Sequence, residues 1–275
     1  MVGDDKNIFV KGLINNQEAP NILFLMTPLT TVDDELATKF YKPLYNEGVN
    51  VFALDLPGIG KSKKCKFTYS KIQHAIKETV SFINENYTDE IHLYGGTGTG
   101  GIFAQAIASD KELSFFKTFS QFGIINYKDL SPLGNNLVFK FLYPMIKLGA
   151  ILFPRYEISF EPPEYNGYNA EKENLYYKNL MKEYPDAFNL PLSVISTIMW
   201  LALSKNSPLQ NVQEIPTLVM ATEHDRYFSK KYVRKYFDSI KIKKELQWIN
   251  DSHCVYDWGA ELLAKKVVGW IEENK

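Results

Sequence analysis

Short apolar runs alternate with amphipathic helical patterns along most of this 275-residue chain. The first runs cover residues 22–26, 49–54 and 91–94, and each is followed by a segment with helical periodicity. The alternation resumes with apolar runs at residues 217–221 and 245–249. Continuous apolar runs separated by helices indicate parallel strands joined by crossover connections. The chain is therefore expected to fold as an α/β protein with a mostly parallel sheet flanked by helices.

Residues 127–208 interrupt this alternation with a helical, aromatic and Pro-punctuated pattern that contains no convincing strand. We therefore expect an α/β core made of residues 1–126 and 209–275, with residues 127–208 inserted as a helical cap, or lid. Two interpretations of its apolar segments remain open. They form a hydrophobic lid over a pocket, or they simply complete the core, as apolar helices usually do.

The most apolar stretch of the insertion, residues 137–153, is interrupted by Lys140, Pro144 and Lys147. A membrane-spanning helix needs about 20 predominantly apolar residues. No transmembrane segment is therefore expected there.

Composition narrows the range of partners and compartments. The chain has 31 Lys and Arg against 32 Asp and Glu, so no net field draws it to nucleic acid or to an anionic bilayer. Its two cysteines, Cys65 and Cys254, are too few for a disulfide framework and lack metal-site spacing. The first twenty residues contain no apolar run typical of a signal peptide. We expect a cytoplasmic protein with a small-molecule ligand, no nucleic-acid partner, no metal and no cofactor.

A glycine cluster follows the third apolar run, within the segment Ile-His-Leu-Tyr-Gly-Gly-Thr-Gly-Thr-Gly-Gly at residues 91–101. Such a turn between a strand and a helix either cradles a phosphate or presents a nucleophile. Gly96, Gly98 and Gly101 fit G-x-G-x-x-G, but no acidic residue ends a strand about twenty residues later, where ribose recognition needs one. A phosphate-binding P-loop is also disfavoured, because no Lys-Ser or Lys-Thr follows the glycines. A nucleophile turn is the favoured interpretation.

Three further segments carry a family resemblance. Residues 55–62, Asp-Leu-Pro-Gly-Ile-Gly-Lys-Ser, resemble the D-x-P-G-x-G-x-S loop of α/β-hydrolase-fold proteins. Residues 217–225 resemble the strand that ends in the acid of the catalytic triad, here Asp225, and residues 248–253 resemble the loop that presents its histidine, here His253. The order nucleophile, acid, histidine is that of the fold. With its cap, the chain resembles monoacylglycerol-lipase-like and lysophospholipase-like serine hydrolases.

The nucleophile turn departs from that family. Counted from Gly96, the G-x-S-x-G pattern places Gly98 where the family has serine. Counted from Gly95, it places Thr97 there, but then the β-branched Thr99 occupies a position that needs glycine for close packing of helix on strand. Side-chain bulk favours the register with Gly98 at the nucleophile position. Thr97 remains the alternative nucleophile.

The resemblance also implies an oxyanion hole made of backbone N–H groups. One donor would be Thr99, and the other would come from the loop Met-Thr-Pro-Leu at residues 26–29. Pro28 has no N–H, so Thr27 or Leu29 would have to donate. His253 would act as the base and Asp225 would orient it.

Three functions are open. In the first, the chain is a serine-hydrolase-type acyl hydrolase for a carboxylic ester or thioester with an apolar acyl group, and Gly98 stands in an inactivated variant. In the second, glycine is native and His253 with Asp225 acts as a general base on a bound substrate or on water. In the third, the chain is a non-catalytic binding protein similar to the N-myc downstream regulated family, which has a glycine-rich turn.

The other histidines and the second cysteine are interpreted as structural. His92 and His224 neighbour strands, and His74 lies on a solvated helix face. Cys254 directly follows His253, and consecutive residues of an extended segment point in different directions, so the two are not expected to act as a pair.

Overall fold

A computed structural model describes residues 8–25, 31–62, 66–96, 98–123, 136–211 and 213–274 of the chain. The strands are β1 (Val10–Leu13), β2 (Asn21–Leu25), β3 (Asn50–Leu54), β4 (Ile91–Gly95), β5 (Phe119–Phe122), β6 (Glu157–Ser159), β7 (Asn189–Pro191), β8 (Thr217–His224) and β9 (Lys244–Ser252). The α-helices are α1 (Glu35–Asn46), α2 (Tyr69–Asn86), α3 (Gly100–Ala108), α4 (Asn136–Leu152), α5 (Ala170–Glu183), α6 (Leu192–Leu203), α7 (Lys230–Ser239), α8 (Val255–Trp258) and α9 (Ala260–Glu272).

Seven strands form one sheet in the order β1-β3-β2-β4-β5-β8-β9. The edge strand β1 runs antiparallel to β3, and all other pairings are parallel. Strands β2 to β5 are buried at every residue, as expected of strands covered by helices on both faces. The predicted α/β class with a mostly parallel sheet is confirmed.

The two faces of the sheet carry separate apolar clusters. One cluster packs α2, α3 and α6 against the sheet, and the other packs α1 and α9 against the opposite face. The resulting three-layer arrangement leaves the carboxyl ends of the parallel strands at a common edge.

Several details differ from the sequence prediction. Strands β1 and β5 were not predicted, and β5 is hard to recognise because its centre is Ser120 and Gln121, both fully buried. Ser70 and Gln73 have the spacing of a capping box, which predicts a helix start at Ser70. Helix α2 is instead capped by the Thr68 side chain, which accepts from the N–H of Lys71. The sequence pattern predicts one closing helix over residues 258–273, but the structure divides this segment at Gly259 into α8 and α9.

The insertion is not purely helical. Strands β6 and β7 form a small antiparallel pair where helices alone were expected. The two interpretations of its apolar segments each fit one helix. Helix α6 completes the core, because Val194, Ile198 and Leu201 join the cluster beneath it, whereas α4 leaves large apolar side chains exposed, with Phe141 at 77 %. Among the described residues, none of the helices has the length and apolarity required to span a bilayer.

Candidate active site

The sheet order brings the predicted site residues to one edge. Strand β4 leads to the turn at Gly98, β8 ends beside Asp225, and β9 leads to His253. Strand β5 lies between β4 and β8 and is followed by Gly123. In parallel α/β sheets, sites form at the carboxyl ends of the strands. Positions separated by more than 120 residues in sequence thus meet at one end of the sheet.

Asp225 and His253 are hydrogen-bonded. His253 Nδ1 lies 2.7 Å from Asp225 Oδ2, and the two side chains are 7 % and 3 % exposed. The other carboxylate oxygen accepts from the backbone N–H groups of Tyr227 at 2.7 Å and Phe228 at 2.8 Å. Asp225 is therefore held from both sides. The predicted hydrogen bond is present, and the catalytic roles of the two residues stay a prediction.

The electrostatics of this pair favour its charged form. Burial alone would raise the pKa of Asp225, but His253 and the two backbone donors outweigh it and hold that pKa below its usual range. Burial likewise pulls the pKa of His253 down, and the adjacent Asp225 carboxylate outweighs it, so that the pKa lies above 6.5. A carboxylate that stays ionised beside an imidazole is the arrangement a general base needs.

Aromatic rings enclose the imidazole. Tyr227 and Tyr256 meet the His253 ring edge-on at centroid distances of 4.8 and 5.9 Å. A β-carbon placed on Gly123 would lie 3.9 Å from His253 Cε1. The imidazole orientation is thus fixed by packing as well as by its bond to Asp225.

The turn after β4 has the backbone geometry of a tight strand-to-helix turn. Gly98 has φ +50°, a conformation that L-residues seldom adopt. Helix α3 starts two residues later, and the Gly101 N–H bonds back to the Gly98 carbonyl at 3.2 Å. A β-carbon on Gly95 would come within 2.5 Å of Ala104, and one on Gly96 within 2.6 Å of Phe24. Close packing of strand, turn and helix explains these two glycines.

The remaining predicted positions are only partly described. Thr99 lies at the N-terminus of α3, next to Gly98, and its oxyanion assignment stays a prediction. Thr27, Leu29 and Thr97 lie outside the described residues. Their assignments therefore stay predictions.

Asp55, in the loop that resembles the hydrolase family, has a structural role. Its carboxylate is buried and accepts from the N–H groups of Val32 at 2.7 Å and Lys61 at 2.8 Å, and from the Thr31 hydroxyl at 2.8 Å. Burial raises its pKa. Gly60 has φ +49° and passes directly over this carboxylate. Asp55 therefore fixes the chain immediately after the proposed oxyanion loop.

The other histidines and Cys254 lie in structural environments, as expected. His92 is buried and bonded to Thr118, His224 stacks on Tyr168, and His74 is exposed. Burial raises the pKa of the Cys254 thiol to about 12. A thiol with that pKa is a poor nucleophile at neutral pH.

Two site neighbours were missed by the sequence analysis. Arg226 directly follows Asp225 and forms a buried ion pair at 3.1 Å with Glu173, which lies on α5 of the insertion. The position of Arg226 next to the predicted acid was a weak signal, whereas nothing in the sequence distinguishes Glu173 from the other acidic residues of its helix. The described residues contain no cluster of three or more potential metal ligands.

Comparison with known proteins identifies the fold. No protein-family model and no curated protein sequence matches the chain. Among solved structures, it is similar to a monoacylglycerol lipase from Paleococcus ferrophilus, with a TM-score of 0.68 and 14 % identity over 98 % of this chain and 99 % of that one. A soluble variant of monoglyceride lipase from Saccharomyces cerevisiae aligns with a TM-score of 0.69 and 15 % identity over 98 % and 91 %. An esterase from Exiguobacterium antarcticum aligns with a TM-score of 0.61 and 16 % identity over 96 % and 95 %. The chain therefore has the α/β-hydrolase fold.

Proposed function

We propose that the site is that of a serine-hydrolase-type acyl hydrolase in which Gly98 occupies the nucleophile position. The observation that carries the proposal is the buried Asp225–His253 pair at the sheet edge where β4 enters the Gly98 turn. The lipase and esterase names among the structural neighbours agree with ester hydrolysis.

The roles follow from the chemistry of acyl transfer. A hydroxyl at position 98 would attack the acyl carbonyl while His253 Nε2 takes its proton, and Asp225 would stabilise the resulting imidazolium. The N–H groups of Thr99 and of Thr27 or Leu29 would hold the oxyanion. His253 would then give the proton to the leaving alcohol or thiol, and a water molecule would release the acid by the same steps. The cycle requires no metal or cofactor.

The substrate would be a carboxylic ester or thioester with an apolar acyl group. We propose that residues 127–208 form a cap over the site, because the described part of this segment contacts the loops of both Asp225 and His253. Its helix α4 exposes large apolar side chains, which suit an acyl chain. We further propose a cytoplasmic protein, from its cysteine content.

A second candidate function is direct general-base hydrolysis. The Asp225–His253 pair is complete without a side chain at Gly98, and the raised pKa of His253 makes it a competent proton acceptor. In that case water would attack the carbonyl with no acyl-enzyme. Such a chain would turn over esters slowly as it stands.

Steady-state hydrolysis of p-nitrophenyl butyrate and octanoate separates these functions. The chain as it stands is compared with Gly98→Ser and, as a matched control, Gly98→Ala, which adds a side chain without a hydroxyl. We expect Gly98→Ser to raise turnover by about 1,000-fold or more. If the original chain hydrolyses the esters and Thr97→Ala abolishes this, Thr97 is the nucleophile. If it does so with Thr97→Ala active and His253→Ala inactive, the general-base function is correct.

Inactivity of Gly98→Ser together with tight binding of a fatty acid by the original chain would overturn the hydrolase proposal. That pair of results would favour the non-catalytic binding protein.

A further inference from the structure

One buried ion pair joins the insertion to the loop that carries Asp225. Arg226 Nη1 donates to Glu173 Oε1 at 3.1 Å, and the two side chains are 5 % and 0 % exposed. Arg226 is the residue immediately after Asp225, and Glu173 lies in the first turn of α5. Two buried charges thus meet one residue away from the candidate acid.

The insertion encloses the Arg226 guanidinium on several sides. Its Nη2 atom donates to the carbonyl of Pro163. The Tyr165 and Tyr177 ring centres lie 5.1 and 5.5 Å from its Cζ atom, and the Tyr227 ring centre lies 5.2 Å away. A guanidinium among three rings and a carboxylate is held in one orientation. Arg226 therefore anchors the Asp225 loop to the insertion.

The same stretch of the insertion reaches the His253 loop. Asn169 Nδ2 donates to Asp251 Oδ1 at 2.8 Å. The rings of Tyr176 and Tyr256 meet edge-on with centroids 6.0 Å apart. Both loops of the acid–base pair are thus covered by one segment that lies far from them in sequence.

The charge of Glu173 is only partly compensated. Within the described part of the chain, its Oε2 atom is fully buried and has no hydrogen-bond donor. A buried carboxylate that is incompletely paired exerts a strong field on neighbouring groups, because the surroundings screen it poorly. The Tyr227 ring connects this ion pair to His253, because its centre lies 5.2 Å from Arg226 Cζ and 4.8 Å from the centre of the His253 ring.

We propose that Glu173 and Arg226 are positioning residues of the Asp225–His253 pair, which hold the Asp225 loop in place and set the charge that His253 faces. The catalytic role of the Asp225–His253 pair rests on the proposed function. The positioning of that pair by Glu173 and Arg226 does not depend on whether the chain turns over a substrate. Because the two residues carry opposite charges, they should shift the pKa of His253 in opposite directions. Glu173 raises the pKa of His253, whereas Arg226 lowers it.

Among the described residues, the other titratable groups around the imidazole are Asp225, the Cys254 thiol and the phenols of Tyr227 and Tyr256. Burial raises the pKa of the thiol and of both phenols, so all three are neutral near pH 7. Asp225 is common to every variant described below. Differences in the pKa of His253 between the variants therefore measure the effects of Glu173 and Arg226.

The test is an NMR titration of His253 in the full chain labelled with ¹³C at the histidine Cε1 positions. The chain has four histidines, so the signals are few, and His253→Asn assigns the one of interest. We expect Glu173→Gln to lower the pKa of His253, and Arg226→Met to raise it, each by about 0.5 to 1 unit. Glu223→Gln is the matched control, because it removes the same charge from an exposed ion pair nearby. Its effect should be below about 0.2 units, since exposed charges are screened.

Shifts in the same direction for both variants, or shifts no larger than that of the control, would overturn the proposal. Where a single variant fails to fold, the double variant Glu173→Gln/Arg226→Met leaves no unpaired buried charge. In it we expect solvent exchange of the His253 Nδ1 proton to accelerate by about tenfold or more as the loop loosens. An unchanged exchange rate in the double variant would equally contradict positioning. None of these measurements requires ester hydrolysis, so the proposed function and this inference fail separately.

Discussion

Two regions of the candidate site differ in their side chains. The Asp225–His253 pair has two ionisable side chains joined by a hydrogen bond, whereas the turn after β4 has a tight backbone and no side chain at Gly98. Asp225 is fixed by the His253 imidazole, the Thr222 hydroxyl and two backbone N–H groups, and His253 is buried among aromatic rings. Gly98 keeps a positive φ at a tightly packed turn but has no functional group. The tight backbone of this turn therefore does not depend on a reactive side chain at position 98.

The largest expected effect comes from removing the base once a nucleophile is present. In the Gly98→Ser background, His253→Ala should lower kcat by about 10⁵-fold, because His253 is the group assigned to take the serine proton. Ester hydrolysis assays with His224→Ala as the matched control measure this, since His224 is a partly exposed histidine that packs on Tyr168. Comparable losses in both variants would show that the assigned base is wrong.

Removing the acid should cost less than removing the base. Asp225→Asn in the Gly98→Ser background keeps the shape of the side chain but loses the charge that orients the imidazole, so kcat should fall by about 10³- to 10⁴-fold. Asp251→Asn is the control, because Asp251 lies near the same loop and bonds to Trp258 and Asn169 rather than to His253. Equal activity of the two variants would show that catalysis does not need the charge of Asp225.

Adding a side chain at the glycines around the turn after β4 should destabilise the fold, because there is no room for it. Gly95→Ala places a β-carbon 2.5 Å from Ala104 Cβ, so helix α3 must move away from β4. Overpacking of this kind destabilises by about 1 to 3 kcal/mol. Gly269→Ala is the matched control, since nothing lies within 4 Å of its new β-carbon and alanine favours the helix by about 0.5 to 1 kcal/mol. Urea denaturation compares the two, and equal stabilities would show that the turn is loosely packed.

The pH dependence should give the smallest effect. General-base action needs neutral His253, whose pKa lies above 6.5, so activity of Gly98→Ser should rise with pH through that raised value. The charge of the Asp225 carboxylate, together with its hydrogen bond, raises the pKa of His253 against the effect of burial. This interaction contributes stability that is present below pH 6.5 and lost as pH rises through the folded pKa. Asp225→Asn should shift the acidic limb of kcat/KM to lower pH. An acidic limb unaffected by this substitution would assign it to another group.

Sequence reasoning predicted the core of this fold because buried parallel strands are nearly continuous apolar runs, as in β2, β3 and β4. It missed β5, because a polar Gln121 does not look like a buried strand residue. Its burial is possible because partners distant in sequence, such as Tyr236, bond to its side chain. It also missed the β6–β7 pair, whose three-residue strands have little periodicity.

Some residues of the candidate site were likewise predictable from the sequence, and others were not. Asp225 and His253 were predictable because each follows a recognisable strand within a family-like segment. The Glu173–Arg226 pair was not, because it depends on how α5 packs on the core, and no local pattern encodes that contact. Tertiary packing likewise decides which apolar helix is exposed. Helix α4 leaves apolar side chains in solvent, whereas α6 is buried in the core.

We propose that position 98 faces the Asp225–His253 pair and that this pair lacks only a nucleophile. Labelling with a fluorophosphonate, followed by peptide mass spectrometry, tests it most directly, because the reagent reacts with an activated serine and hardly at all with an ordinary one. The account predicts a stoichiometric adduct on residue 98 of Gly98→Ser, no adduct on the original chain or on Gly98→Ala, and loss of labelling when His253→Ala is added. A folded Gly98→Ser variant that stays unlabelled, or an adduct on Thr97 of the original chain, would contradict it.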